Sequence, residues 1–330
     1  MKKILLATTM LVAGASIAAA EVTLSGNGRM GVISNFSDNN ALNGDESDIS
    51  FTSRARVQFN LSGETDGGLS FGGSFRADNA VGAAAGDAGS VFISGAFGKL
   101  SMGDVDGAAQ MATGHVAGVG LTGLGDRNES TFLAAGDGAT DPTALYEYSA
   151  GDLTVYLSAS NPVATFVPAV VAPPTPAVYT DSLAIAIGAK YTFGDYTVGL
   201  GYENLTVNSG VSALAAPVVT DLDHVVLKVS GTVAGFDLQG LIGQADGTLN
   251  TAVVNNAKQY AMSVTYTTGA LSGSVFYTDD SALGGTTAYG IGASYDLGGG
   301  ASVVGGMAHD KDASAGAGET AYDLGVSFSF

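Results

Sequence analysis

The chain of 330 residues has no cysteine, no tryptophan and few basic residues. Without cysteine there is no disulfide framework, so an exported fold must be stabilised by its hydrogen-bonded secondary structure. Twelve Lys and Arg against 31 Asp and Glu give a net charge of −19. A nucleic-acid partner would require a basic patch, so we expect none. These absences exclude a disulfide scaffold and argue against a nucleic-acid-binding protein.

Long apolar runs are also nearly missing, apart from residues 4–17. Lys2 and Lys3 precede this run, and three alanines at 18–20 supply the small residues of a cleavage site. The run is shorter than the roughly 20 residues that a spanning helix needs. We expect residues 1–20 to be a signal peptide; losing Lys2 and Lys3 would leave 10 basic against 31 acidic residues, a net charge of −21. A second apolar segment, residues 161–180, contains five prolines and cannot form a membrane helix.

The end of the chain has the clearest strand pattern. One parity of residues 322–330 is apolar and the other is small or polar, the apolar set being Tyr322, Leu324, Val326, Phe328 and Phe330. Side chains alternate across a strand, so this strand has one apolar face and one polar face. In a soluble sheet such an edge would invite aggregation. The pattern favours a strand that faces lipid on one side and water on the other.

Short and long connections alternate along the rest of the chain. Seven short turns lie at 63–67, 97–99, 150–152, 193–196, 234–236, 268–270 and 297–300. Eight longer connections, acidic or rich in proline, lie near 36–49, 81–88, 105–142, 162–181, 207–221, 247–256, 281–285 and 311–320. Fifteen connections join sixteen strands, and this asymmetry is typical of outer-membrane barrels. The sequence therefore predicts an all-β fold, a 16-stranded antiparallel transmembrane β-barrel over residues 21–330.

Aromatic residues stand beside nearly every short turn. They are Phe97, Tyr148, Tyr191, Phe193, Tyr196, Phe236, Tyr266 and Tyr295. Ordinary strand propensity would also place aromatics in strands. Their position next to the turns favours a girdle at the membrane interface.

Four arginines fall on the first three predicted strands, all on the non-lipid parity: Arg29, Arg54, Arg56 and Arg76. A lipid-facing Arg at the midplane costs about 2–4 kcal/mol. Four would cost roughly 8–16 kcal/mol, as much as the whole stability of a typical domain. We therefore expect all four to face the lumen and to form the basic wall of a pore constriction.

The connection at 105–142 is too long for a simple connector, and such loops are usually functional. We expect it to fold into the pore as a constriction loop, although an outward, solvated acidic loop is the alternative. Four carboxylates at its edge or within it are the candidates for the acidic side of the constriction: Asp104, Asp106, Asp126 and Glu129. Carboxylates opposite arginines in a narrow slot would create a transverse electric field.

These segments resemble the general diffusion porins of photosynthetic and related alphaproteobacteria. The matching stretches are 21–26, 28–32, 53–57, 94–99, 191–203 and 292–300, and the resemblance spans essentially the whole mature chain. It implies a sixteen-stranded trimeric barrel whose third long loop folds inward, opposite arginines that match Arg29, Arg54 and Arg56. Residues 107–118 depart from the family because they are small and nearly uncharged where family loops are denser in acidic and aromatic residues.

Catalysis has little support in the sequence. His115, His224 and His309 are the only histidines, and none has metal-ligand spacing. Asp221 and Asp223 stand beside His224, but solvation of a loop end explains them more simply. We therefore expect no enzyme activity and no cofactor.

Calcium is a weaker hypothesis. Carboxylates in the predicted outer loops, at 45–48, 279–280 and 310–312, could hold Ca²⁺ and bridge anionic lipopolysaccharide. No EF-hand spacing supports a dedicated calcium site.

The sequence thus predicts an outer-membrane general diffusion porin: a water-filled channel for passive passage of ions and small hydrophilic solutes. A substrate-selective outer-membrane channel is the first alternative, and it would need a ladder of basic or aromatic residues along the lumen. A secreted β-rich adhesin is the second, and it would leave the membrane without detergent.

Overall fold

The computed structural model describes residues 20–34, 49–79, 89–134, 143–168, 170–171, 174–175, 178–211, 218–312 and 318–330. Strands dominate it. In chain order they are β1 (Glu21–Ser34), β2 (Ile49–Glu64), β3 (Ser70–Asn79), β4 (Gly89–Gly95), β5 (Gly98–Gly103), β6 (Thr143–Ala150), β7 (Leu153–Ala159), β8 (Val163–Val167), β9 (Val170–Val171), β10 (Pro174–Thr175), β11 (Val178–Phe193), β12 (Tyr196–Val211), β13 (Val218–Val233), β14 (Phe236–Leu249), β15 (Ala252–Thr268), β16 (Leu271–Asp279), β17 (Thr286–Gly298), β18 (Ala301–Asp312) and β19 (Gly318–Ser329). Two short helices complete the list, α1 (Ala108–Thr113) and a 3₁₀ turn (Ser281–Leu283).

The sheet closes on itself. β1 pairs with β2 on one side and with β19 on the other, so the sheet has no free edge between the two ends of the chain. β7 and β8 pair with successive stretches of β11 and together form one wall strand, while β9 and β10 form a separate small hairpin. The wall therefore has sixteen antiparallel strands. The predicted fold class is confirmed.

Alternation along the strands separates an outer face from an inner face. On β11, Leu183, Ile185 and Ile187 are exposed, while Ala184 and Ala186 between them are buried. A closed barrel has only these two faces, so the exposed apolar parity faces outward and its neighbours face the lumen. The outward parity of the last strand and the inward parity of all four predicted arginines agree with the sequence pattern.

All seven predicted short turns are present, each between two paired strands. One predicted long connection is wrong. The region 247–256 contains only a two-residue turn, Asn250–Thr251, between β14 and β15. Both turn residues have positive φ, 48° and 72°, which is the conformation of the tightest hairpin turns. The polar composition of residues 247–256 could not distinguish a loop from long strands that extend beyond the membrane.

Aromatic side chains form two rows on the outer face. Tyr196, Tyr266 and Tyr295 lie next to short turns, and each is exposed. Six residues further from the turn on the same strands lie Tyr202, Tyr260 and Tyr289, also exposed. At about 3.3 Å per residue the two rows are on the order of 20 Å apart along the strand. The row beside the short turns lies where one interfacial girdle of a membrane barrel is expected. In the described part of the chain, no helix is sufficiently long and apolar to cross a membrane.

Candidate functional site

The described part of the long connection, residues 104–134, lies against the inner face of the wall and is called the lumen segment here. Its outward leg passes β7, where the Ala108 N–H bonds Ser158 Oγ at 2.8 Å, and reaches β15, where the Ala117 N–H bonds Ser263 Oγ at 3.1 Å. It then reaches β1, where the Thr122 carbonyl oxygen lies 3.4 Å from Arg29 Nη1. The segment thus lines the lumen from β7 round to β19 and β1.

Wall glycines make room for the helix of this segment. A Cβ atom on Gly188 would collide with the Ala108 carbonyl oxygen, and one on Gly199 with the Ala112 carbonyl oxygen. On Gly201 it would lie 2.7 Å from the Ala109 Cα. The apolar helix α1 is therefore buried directly on the backbone of β11 and β12. This explains why residues 107–118 are small and uncharged, the feature that departs from the expected family loop.

Glu203 holds the end of the lumen segment. Its carboxylate accepts the backbone N–H of Leu133 at 2.7 Å and of Ala134 at 3.0 Å, and it lies 2.7 Å from Nδ1 of His224. Glu203 and His224 are directly opposite on β12 and β13, and both are completely buried. Segment N–H groups inside the barrel have no strand partner, so the wall must supply acceptors. Glu203 supplies two of them.

Two further wall carboxylates act in the same way. Asp323 on β19 accepts the N–H of Leu121 at 2.9 Å and both the N–H and the hydroxyl of Thr122, at 2.6 and 2.7 Å. Asp280, directly after β16, accepts the N–H and the hydroxyl of Thr131, at 2.6 and 3.0 Å. Both aspartates are buried. Hydrogen bonds to charged groups are roughly twice as strong as neutral ones, so these carboxylates are strong tethers.

Apolar packing supplements the tethers. Val116, Val119 and Leu124 of the lumen segment pack against inward-facing apolar wall residues. The wall members of this cluster are Val226, Leu241, Ala261, Phe276, Ala288, Ala308 and Ala321. The inner face of β13–β19 is therefore partly dry, because the segment covers it.

His115 lies inside the lumen segment. The Ser130 N–H donates to its Nδ1 at 2.9 Å, so the neutral ring carries its proton on Nε2. His115 Nε2 lies 3.2 Å from the side-chain amide nitrogen of Gln110. Both atoms would then be donors, unless the Gln110 amide is rotated by 180°. Rotation would bring in Gln110 Oε1, a buried atom without a hydrogen-bond partner. Burial lowers the pKa of His115, and the positive charge of Lys228 lowers it further, so the ring is neutral at pH 7.

The four predicted arginines lie together on β1–β3 and are called the arginine wall here. They do not all have the same surroundings. Arg56 makes a two-pronged ion pair with Asp78, at 2.7 and 2.6 Å, and Arg76 Nε lies 4.0 Å from the same carboxylate. Asp78 is directly opposite Arg56 in the β2–β3 register. The arginine wall therefore contains a buried negative charge that offsets part of its field.

Arg29 and Arg54 are directly opposite each other on β1 and β2. Arg54 Nη2 donates to the Asn27 side-chain oxygen at 2.9 Å, and Arg29 Nη1 donates to the Thr122 carbonyl oxygen at 3.4 Å. The Nε atoms of both arginines are buried and have no hydrogen-bond partner among the described residues. An unmade bond at a buried donor costs about 1–3 kcal/mol.

The four carboxylates predicted for the acidic side of the constriction do not form a cluster like that of the arginine wall. Asp104, Asp106, Asp126 and Glu129 are all exposed. Glu129 Oε2 lies 3.9 Å from Nε2 of His115. Within the described ranges, no salt bridge joins the arginine wall to Asp104, Asp106 or Asp126. Although Asp106 is exposed, nearby protein partly desolvates its carboxyl, and this raises its pKa; the charge of Asp104 raises it further.

The arginine wall and the lumen segment lie at a similar height. Gly188, Lys228 and Ser263, which the segment contacts, are each six residues from the short turn of their own strand. Arg56 and Arg76 are about nine and seven residues from the turn between β2 and β3. Arginines and segment therefore share the middle of the barrel.

Reasoning from sequence missed the residues that hold this arrangement: Asp78, Glu203, Asp280 and Asp323. The sequence does contain an indication that three of them need a partner inside the barrel. Asp78, Glu203 and Asp323 stand on the inward parity of strands, where a lone acid needs a partner. Their partners are a side chain on the next strand or backbone groups 69 to 202 residues away, which alternation does not identify.

Comparison with known proteins gives consistent results. A family model described as Gram-negative porin matches residues 7–315. The chain belongs to the Gram-negative porin family. It is 39% identical to a porin of Rhodobacter capsulatus, over 94% of this chain and 100% of that protein.

Solved structures agree. A porin structure refined at 1.8 Å resolution is 34% identical, with a TM-score of 0.70, and the match covers 94% of this chain and 100% of that one. A triple mutant of the Rhodopseudomonas blastica porin, 23% identical with a TM-score of 0.63 and the same coverage, shares the fold. The protein is thus a porin of the bacterial outer membrane, and it works as a channel.

Two further predictions concern calcium binding and the signal peptide. Among the described residues, no group of three or more His, Asp and Glu side chains could hold a metal ion. Asp280 is occupied by the lumen segment, and Asp310 pairs with Arg127 at 2.7 Å. The carboxylates at 45–48 lie outside the described residues, as do residues 1–19 of the predicted signal peptide. Calcium binding and signal cleavage therefore stay predictions.

Proposed function

We propose that this porin is a general diffusion channel whose narrowest part lies between the arginine wall and the lumen segment. The observation that carries the proposal is that the two touch, with Arg29 Nη1 3.4 Å from the Thr122 carbonyl oxygen. Positive charge on β1–β3 and the exposed carboxylates Asp104, Asp106, Asp126 and Glu129 would then produce a field across the opening. Polar solutes can align with such a field, and apolar solutes gain nothing from it.

The test is to replace Arg54 and Arg56 with glutamine and record single channels in a planar bilayer. We expect the zero-current potential under a salt gradient to move toward cation preference, because positive charge is lost at the narrowest point. Conductance should rise, because glutamine is smaller. Lys258→Gln, at an exposed position on the outward parity of β15, is the control that loses a charge without touching the lumen. Unchanged selectivity in the double variant would place the arginines away from the narrowest point.

We further propose that the porin is a homotrimer in which β1–β5 face the other copies. The support is the distribution of tyrosine, whose thirteen copies all lie at or after residue 146. The large aromatics exposed on β2 and β3 are phenylalanines, Phe51, Phe71 and Phe75. A wall sector in contact with lipid headgroups would use the tyrosine hydroxyl, and a covered sector has no use for it. Phe75→Lys should dissociate the native oligomer in detergent, whereas Ile242→Lys on β14 should leave it intact.

A further inference from the structure

Arg29 and Arg54 form the least compensated pair of charges in the arginine wall. Residues directly opposite on one face of an antiparallel pair have Cβ atoms about 4.5–5.5 Å apart, and like charges there are destabilising. The register places these two arginines in that relation. Their hydrogen bonds, to Asn27 and to Thr122, are to neutral carbonyl oxygens. Among the described residues, the pair therefore has two positive charges and no carboxylate within hydrogen-bond or salt-bridge distance.

The neighbouring pair shows how this wall satisfies an arginine when a carboxylate is present. Arg56 uses Nε and Nη2 together on the two oxygens of Asp78. In Arg29 and Arg54 the equivalent Nε atoms are buried and without partner in the described part of the chain. An Nε and Nη pair is the edge with which a guanidinium holds a carboxylate or phosphate. Both arginines therefore keep an Nε donor without a partner in the described part of the chain, although Nη2 of Arg54 already donates to Asn27.

We propose that Arg29 and Arg54 together form a binding subsite for one oxyanion, the carboxylate or phosphate group of a passing solute. The proposal rests on the proposed function, because the solute must reach the arginines through the lumen. The oxyanion would take the place that Asp78 takes for Arg56, receiving hydrogen bonds from both guanidinium groups. Chloride has no two-oxygen edge and would gain only the charge interaction. The subsite would therefore distinguish oxyanions from halides.

A subsite in a diffusion channel has to release its ligand quickly, so binding must be weak and saturable. The Thr122 carbonyl oxygen beside Arg29 favours that behaviour, because it repels an approaching anion and competes for the same guanidinium. We therefore expect the effect to be seen as a saturating reduction of chloride current and not as permanent block.

The experiment titrates inorganic phosphate into a chloride bath at constant ionic strength and pH 7, with single porins in a planar bilayer. Acetate in place of phosphate tests the carboxylate form of the same chemistry. In the wild type, chloride current should fall along a saturation curve. Arg54→Lys keeps the positive charge but loses the paired N–H groups that bind two oxygens at once. It should raise the half-saturating phosphate concentration roughly three- to tenfold. Arg29→Lys should do the same, which protects the test if one variant folds poorly.

Arg76→Gln is the matched control within the wall. It removes one positive charge near Asp78 and should shift the zero-current potential, but the half-saturating concentration should change less than twofold. Two results would overturn the proposal: a current that falls linearly with phosphate, or equal saturation in wild type and both lysine variants. The proposed function fails separately, if replacing Arg54 and Arg56 with glutamine leaves the zero-current potential unchanged in chloride alone.

Discussion

The two halves of the inner wall differ in what they contact. On β1–β3 the inward parity carries Arg29, Arg54 and Arg56, and the lumen segment reaches this half only at its edge. On β11–β19 the same parity carries the buried acids Glu203 and Asp323 and many glycines and alanines, several of which contact the segment. The β1–β3 half carries positive charge that faces the lumen, and the β11–β19 half carries buried carboxylates that bind the lumen segment. An inward-facing residue is therefore not necessarily a pore-lining residue.

The difference has a physical cause. An acid that faces water needs no partner, but an acid under the segment must be hydrogen-bonded or it would be expelled. Backbone N–H groups of the segment have the same need. The carboxylates of Glu203 and Asp323 and the N–H groups of Leu133 and Leu121 satisfy each other. Stability and pore shape therefore depend on the same bonds in this half.

Removing a tether should have the largest effect. Glu203→Ala leaves two segment N–H groups and His224 without their acceptor, and each buried donor left unsatisfied costs about 1–3 kcal/mol. We expect the end of the segment to detach, single-channel conductance to rise and current noise to increase. A protease added to the bilayer-embedded porin should then cut near residues 131–134.

Asp195→Ala is the control for Glu203→Ala, because it removes an exposed acid in the short turn between β11 and β12. Its conductance should equal that of the wild type. Wild-type conductance and protease resistance in Glu203→Ala would show that apolar packing holds the segment without this tether.

Filling a wall glycine should have the next largest effect. Gly188→Ala places a methyl group against the Ala108 carbonyl oxygen and should force α1 away from β11, narrowing the open part of the lumen. We expect lower conductance and a reduced melting temperature. Gly240→Ala on β14 is the matched control, since a methyl group there meets nothing within 4 Å. If both variants behave alike, helix packing on the glycines is not what sets the opening.

The ion pair of Asp78 and Arg56 allows one negative and one positive charge to be removed separately from the arginine wall. Asp78→Asn keeps the shape but removes the charge that offsets Arg56, so the zero-current potential should move toward anions. Arg56→Gln should move it in the opposite direction, because one positive charge is lost and the charge of Asp78 is left without its partner. Shifts of the same sign in the two variants would contradict this account.

Acid should produce the smallest effect. The raised pKa of Asp106 means that its carboxyl gains a proton at a pH above the ordinary value of 3.8, and one negative charge is then lost from the lumen segment. The lowered pKa of His115 means that the docked segment resists protonation. Docking is therefore strongest at neutral pH and weakens as the pH falls through the ordinary histidine value of 6.5 toward the lowered one.

Two measurements check this pH dependence. Zero-current potentials should drift toward anions as the pH falls from about 7 to about 4, and Asp106→Asn should remove the part of that drift that comes from this carboxyl. Channel noise should increase as the pH falls below about 6.5, because docking then opposes protonation of His115, and a protonated ring loses the Ser130 N–H bond and faces Lys228 as a second cation beside Glu129 and Asp126. A pH-independent potential in the wild type would contradict the first expectation, and constant noise the second.

Much of the wall could be predicted from the sequence because its pattern is local. Seven turns, the outward face of β11 and the inward direction of Arg54 follow from neighbours one or two residues apart and from the cost of charge in lipid. The turn at Asn250 could not be recognised, because polar residues are equally suited to a loop and to strands that project into water.

The amino-acid order by itself determined the closed sheet, its two faces and the inward position of the arginines, since hydrocarbon outside and water inside sort side chains residue by residue. Only the tertiary structure decided which inward residues meet water and which meet the lumen segment. That choice depends on contacts such as Asp323 with Leu121, which are 202 residues apart in the chain. Folding brings such groups together because each satisfies the other's hydrogen bonds, and no local pattern encodes that partnership.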